Sequence, residues 1–246
     1  MAASPWFRDR LLGDPLLPFK LAVEVGLDVG LACFAEGKRP QEEAEAEREF
    51  FVADLLAGSA MDAALVLAVA QPAFLTRVGA LAASGALRPA HALARGAPFR
   101  LASRARALLL TSLRFGAVGA IAGGVGQAGA NVAHSLRRRA AARAGAGAPP
   151  PAAAGAAGAS DAPPPPHVTA LVYGLFAATS GAARYTLVAG LDAAVWAFPA
   201  TRVAAGALPA VITTAARFAS NVIGGEQFVD IAAVRGLGFV RTQCSG

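Results

Sequence analysis

Apolar residues dominate five stretches of the chain, at about residues 14–36, 50–74, 108–134, 167–198 and 208–234. Each reaches the roughly twenty residues that a bilayer-crossing helix needs. Five such segments in one short chain favour an all-α membrane bundle of four or five spans over a soluble domain. The connectors differ in kind. Residues 41–49, QEEAEAERE, have helical propensity but no apolar face and read as a solvated helix end. Residues 75–107 hold six arginines with Pro89 and Pro98 and read as an irregular basic loop. Arg137, Arg138 and Arg139 mark a stop at the membrane surface. Residues 140–166 are Ala/Gly/Pro low complexity ending in Pro163–Pro166, a stretch that cannot build a packed core and serves as a linker. It separates an N-terminal membrane half, residues 1–139, from a C-terminal half, residues 167–246.

The first segment is the most charged. Lys20, Glu24 and Asp28 follow at four-residue spacing and form one helical stripe, while Leu17, Leu21, Val25 and Val29 face elsewhere. Each charge costs about 2.5–3.5 kcal/mol at a bilayer centre. An interfacial or bundle-buried amphipathic helix therefore stands beside a true span. Basic residues fall on both sides of a five-span arrangement, so the positive-inside rule sets no orientation.

Composition narrows the function classes. Of 246 residues, 55% are hydrophobic and 15% charged, against roughly 25% charged in soluble domains, and mean hydropathy is +0.50. An ordinary soluble enzyme and a globally disordered chain are both disfavoured. The net charge of +6 is carried by arginine, Lys20 and Lys38 being the only lysines, and no aromatic residues interleave the basic clusters. Nucleic acid is accordingly not an expected partner. Cys33 and Cys244 cannot make a disulfide framework, and His91, His134 and His167 lie too far apart for metal-ligand spacing. No cofactor is expected. The start, MAASPWFRDR, has no apolar stretch and carries Asp9, so it reads as neither a signal nor a transit peptide.

Gly124–Gly129 spell a literal G-x-G-x-x-G. A dinucleotide site needs an acidic residue about twenty positions on, and none occurs between Asp62 and Asp161. Gly116, Gly119, Gly123, Gly126 and Ala130 instead form a smooth ridge on which a second membrane helix can sit closely. Gly224-Gly225 read as a cap, a kink or a helix break. Ser, Cys and His residues show no nucleophile–base arrangement, so the chain reads as a non-enzyme. More informative are ionisable groups inside the apolar segments. Asp54 and Asp62 lie about 80° apart on one helix. Arg114, Arg184, Asp192, Arg217, Glu226 and Asp230 lie in the later segments, with the neutral amide of Asn221 among them. Such groups face a bundle interior and find partners. Two readings stay open: an ion-pair lattice that sets helix register, or a polar pathway for a solute.

Five blocks carry a resemblance. They are DPLLPFKLAVEVGLD at 14–28, VADLLAGSAMDAALV at 52–66, RFGAVGAIAGGVGQAGAN at 114–131, ARYTLVAGLD at 183–192 and ARFASNVIGGEQFVD at 216–230. With these the chain resembles the RETICULATA-related family of plant and algal plastid-envelope proteins, from about residue 11 to 236 outside the linker. It departs in an expanded linker, in Ala128 where a glycine is expected, and in the absence of the family's transit peptide and upstream region. The resemblance implies an integral protein of the chloroplast envelope, in the inner membrane, linked to leaf and plastid development. It also implies carriage of amino acids, basic ones favoured, and offers no catalytic residues. On that basis Asp54 and Asp62 are expected to hold a guanidinium or ammonium group. Arg184 or Arg217 is expected to meet the solute carboxylate, with Asn221 beside them. The alternative is a non-transporting, organising membrane protein. The partners are then the lipid bilayer and a small solute such as a basic amino acid.

Overall fold

A computed structural model describes residues 5–70, 89, 91–94, 99–143, 164–197 and 207–234. Among them every regular element is helical. The order is α1 (Pro5–Gly13), α2 (Leu17–Glu36), α3 (Gln41–Ala46), α4 (Arg48–Val69), α5 (Leu101–Arg143), α6 (Pro166–Phe176), a π-helical turn (Ala177–Gly181), α7 (Ala182–Ala197) and α8 (Ala207–Val234). All five apolar segments are thus helices. Among the described residues two helices are long and apolar enough to cross a membrane, Arg48–Val69 and residues Leu101–Ala140 of α5. The expected count of four or five spans is not carried that far. One reason is that the fourth segment is divided by the π turn into stretches of 11 and 16 residues. Most of the Arg-rich connector and of the linker lies outside the described residues, as do the linker's composition-based assignments. At its far end the connector is helical rather than irregular, because α5 starts at Leu101 and not near residue 108.

Local chemistry sets the helix starts. Asp14 turns the chain between α1 and α2: its carboxylate accepts from the Leu16 amide at 3.2 Å and from Lys20 Nζ at 2.6 Å. Pro18 stands in the first turn of α2, where its missing N–H costs nothing. The proline run ends in extended Pro165, after which Pro166 opens α6.

The glycine ridge is the main packing device. α5 lies against α4 on one side and α6 on the other. A Cβ placed on Gly119 would stand 2.5 Å from the Tyr173 carbonyl oxygen, and one on Gly123 2.7 Å from the Tyr173 ring. On the α4 side a Cβ on Gly126 would meet Ala57 at 2.9 Å. The backbones approach this closely only because these side chains are absent. Gly124–Gly129 lie inside this continuous helix, with no strand or loop before them. That removes the turn a dinucleotide fingerprint requires. Thr169 donates to Gln127 Oε1 at 3.2 Å, and Gln127 Nε2 donates to Asn131 at 2.8 Å, pinning the same contact with polar groups. Leu17, Met61, Leu65, Val66, Phe115, Ala177, Ala182 and Tyr185 form the apolar core. Leu17 is fully buried and Leu21 packs beside it, so these two share the interior with the charged stripe instead of facing away from it.

Candidate functional site: a buried charge network and its cavity

Charged side chains converge where α2, α4, α7 and α8 meet. Arg217 of α8 donates to Glu24 Oε2 of α2 through Nη1 and to Asp192 Oδ2 of α7 through Nη2 at 2.8 Å. All three are nearly sealed, at 4%, 2% and 1% exposure. Lys20 extends the chain of charges, 3.8 Å from Asp192 and 2.6 Å from Asp14. Glu24 Oε1 also lies 3.0 Å from the Tyr185 hydroxyl, whose other neighbour is Asp62 Oδ1 at 2.8 Å. Helical periodicity explains this convergence. Tyr185 and Asp192 are seven residues apart and share a face of α7. Thr213, Arg217, Ser220 and Gly224 recur every three or four residues and make the buried stripe of α8. Lys20, Glu24 and Asp28 face the bundle, as their spacing predicts, with Glu24 deepest.

Arg184 sits one turn away in a different setting. Its Nε donates to Ser180 Oγ at 2.9 Å, and Nη1 donates to the Ser220 carbonyl at 2.5 Å. Ser180 belongs to the π turn, a geometry that recurs at functional positions. Gly224 makes room for this arginine, since a Cβ there would collide with the guanidinium. α8 runs unbroken through Gly224-Gly225. Gly224 therefore admits a side chain, a Cβ on Gly225 would meet nothing within 4 Å, and the pair neither caps nor breaks the helix.

A cavity of about 240 Å³ opens beside the network, lined in part by Asp14, Lys20, His91, Asp192, Trp196 and Arg217. Its volume equals that of about eight waters. Three of its lining residues carry a buried polar atom with no partner among the described residues: Asp192 Oδ1, Arg217 Nε and His91 Nδ1. One accepts, one donates, and the imidazole nitrogen can do either. Buried polar atoms are rarely left unpaired, and these three belong to residues of one wall, each atom exposing less than 1 Å² and so turned into the protein behind the space. His91 is placed by the turn 91–94, whose Ala92 and Ala94 carbonyls accept from Arg104 Nη1 at 2.5 and 3.3 Å. Leu93 of that turn packs on Gly190, where a Cβ would stand 2.7 Å away.

Burial, with Lys20 and Arg104 nearby, pushes the His91 imidazole down from 6.5 to about 4. The folded protein therefore keeps it neutral, while an unfolded chain takes up the proton below about pH 6.5. Stability is expected to fall as pH drops through that interval, by about 3 kcal/mol in full near pH 4. Thermal unfolding at stepped pH should show this acid arm, and His91→Gln should flatten it. An arm of equal slope in that variant would mean that His91 is not the group responsible.

The residues expected from sequence fare differently. Arg217 is the hub of the network and lines the cavity. Asp62 joins through Tyr185, outside the cavity wall. Arg184 is held by serines, and half-buried Asn221, one turn beyond Arg217, has no partner for its Nδ2 among the described residues. Asp54 is exposed on α4, with no hydrogen-bond or ion-pair partner among the described residues. It does not form an acidic pair with Asp62, because the 80° between them turns one side chain out as the other turns in. Arg114, expected as a buried cation, is exposed. Glu24, Lys20, Asp14, Tyr185, His91 and Trp196 were not in the expected site. The charged stripe of α2 was the available signal for the first two.

Comparison with known proteins places the chain among named relatives. The family described as Protein RETICULATA-related matches residues 9–191. The chain is 31% identical over 254 residues to Protein RETICULATA-RELATED 1, chloroplastic, of Arabidopsis thaliana, covering 96% of this chain and 54% of that protein. It is likewise 31% identical over 245 residues to Protein RETICULATA, chloroplastic, of the same plant, covering 93% of this chain and 52% of that protein. The chain thus spans about half the length of the curated relatives it matches. No solved structure matches it.

Proposed function

The chain belongs to the RETICULATA-related family, and from that premise we propose an integral protein of the chloroplast envelope, in its inner membrane, that carries amino acids, basic ones favoured, and thereby acts in plastid and leaf development. The plastid is supported by the word chloroplastic in the names of both relatives. Membrane integration is supported by the two long apolar helices and by an inverted distribution of side chains. Glu24, Asp192 and Arg217 lie inside, whereas Ile121, Val125, Leu187 and Val211 are each more than 60% exposed. A hydrocarbon solvent rewards that arrangement and water penalises it. On this reading α2, the α6–α7 run and α8 cross together with α4 and α5, which brings the count to five.

The observation that carries the solute reading is the cavity, whose wall brings Asp14, Asp192, Lys20 and Arg217 together and whose residues hold three buried polar atoms with no partner among the described residues. On this reading the Asp192 carboxylate turns outward to receive a guanidinium or ammonium hydrogen, and the Arg217 guanidinium turns to meet a carboxylate. Trp196 offers an aromatic wall for a cation. The size suits one amino acid and no catalytic step is required. Uptake of labelled arginine into proteoliposomes tests this. The expected result is saturable uptake, competed by lysine and ornithine and unchanged by Asp54→Asn. No uptake in correctly inserted protein, with exchange solutes preloaded, would overturn it.

One observation favours a second reading. Arg217 is already doubly paired, and a carboxylate–guanidinium–carboxylate triad can serve only to fix helix register. On that reading the protein organises the envelope without transport, and no amino acid fills the cavity.

A further inference from the structure

The Tyr185 hydroxyl lies 3.0 Å from Glu24 Oε1 and 2.8 Å from Asp62 Oδ1, and all three side chains are buried. Two hydrogen bonds across three oxygens require two protons. A phenol carries one, and an ionised carboxylate carries none. Were both carboxylates ionised, one of these contacts would set two acceptor oxygens against each other in a site closed to water. A second proton therefore resides on a carboxyl. Glu24 is the poorer resting place, because the Arg217 guanidinium on its other oxygen favours the ionised form. Asp62 has no cation bound to it among the described residues, and Tyr185 is its hydrogen-bond partner.

The groups that face Asp62 agree with this assignment. From α2 come the carboxylates of Glu24 and Asp28. From α7 come Tyr185 and Arg184, whose guanidinium is held instead by Ser180 and Ser220. α8 contributes Arg217, which reaches the cluster only through Glu24. Beside Tyr185, α5 presents the apolar Phe115, their rings 5.6 Å apart. Like charges thus surround Asp62 from α2 without a compensating contact.

We infer that Asp62 is a proton-binding site, its carboxylic acid donating to Tyr185 Oη while Tyr185 donates to Glu24, and that this proton is linked through Arg217 and Asp192 to the cavity. The linkage rests on the solute reading above. A cationic solute at Asp192 draws that carboxylate away from Arg217 and adds positive charge to the network. The proton can then pass from Asp62 to Tyr185 as the phenolic proton passes to Glu24. Asp62 becomes the carboxylate, Glu24 the acid, and Tyr185 stays neutral. Water takes up that proton from Glu24, so that one proton leaves the network for each cation bound.

Infrared spectroscopy of the full chain in lipid nanodiscs tests the proton without any solute. The expected result near pH 7 is a protonated-carboxyl stretch that shifts in heavy water. It should be absent from Asp62→Asn, shifted in Tyr185→Phe and retained in Asp54→Asn. A band that survives in Asp62→Asn, or no such band in the unaltered protein, overturns the assignment. Arginine binding at stepped pH tests the linkage. Apparent affinity should weaken on the acid side by up to about tenfold per pH unit, and Asp62→Asn should abolish that dependence while His91→Gln keeps it. A pH dependence that persists in Asp62→Asn overturns the linkage. Absence of arginine binding at every pH, with the band present, overturns the solute reading and leaves the proton on Asp62.

Discussion

Arg217→Met is expected to destabilise the folded protein by about 3–5 kcal/mol, the cost of leaving buried charge without its partner. The guanidinium holds Glu24 and Asp192 at once, and both carboxylates are almost wholly sealed from solvent. Lys20, 3.8 Å from Asp192 and committed to Asp14, cannot replace it for Glu24. Arg217→Lys should recover only part of the loss, since one ammonium cannot reproduce a planar fork directed at two carboxylates. The informative companion is the neutral triple variant Glu24→Gln, Asp192→Asn, Arg217→Met. Removing all three charges removes the desolvation cost together with the attraction, so stability should return to within about 1–2 kcal/mol of the starting protein. Arginine binding should not return with it. Thermal unfolding in detergent measures the first effect, and a binding assay on the same samples measures the second. If Arg217→Met unfolds at the temperature of the unaltered protein, the triad is not buried in the way described.

The second large effect is expected at Gly119. An added Cβ there would press on the Tyr173 carbonyl at 2.5 Å and on Ala177 Cβ at 2.8 Å. Backbone cannot rotate aside as a side chain can, so α5 and α6 must separate. Gly119→Val should cost at least the 1–3 kcal/mol typical of overpacking, and more if the Gln127–Thr169 bond is lost with the contact. Gly129 supplies the internal comparison, because a Cβ there meets nothing within 4 Å. Gly129→Ala should be neutral or stabilising by up to about 1 kcal/mol, the helix-propensity gain alone. Parallel melting curves for the two variants decide the matter. Equal behaviour would mean that the ridge is not an interface.

Much of this protein follows from linear order. The five apolar stretches fall on helices among the described residues, the fourth interrupted by the π turn, because long alanine- and leucine-rich runs favour the helical backbone. The ridge from Gly116 to Ala130 was legible because small residues at helical spacing have one common use, close approach. The inward stripe of Lys20, Glu24 and Asp28 was legible for the same reason of periodicity. Spacing along one helix also set Asp54 and Asp62 apart by 80°, but only the bundle axis decides which of two such residues faces inward. It chose Asp62 and left Asp54 outside. Nor could linear order show that Arg217, 193 positions from Glu24, would sit between it and Asp192. The turn that delivers His91 to the cavity and the glycine that admits Arg184 are equally non-local. Local periodicity determines which face of each helix is alike. Which faces meet, and hence which charges share a proton or enclose a cavity, is a property of three-dimensional packing alone.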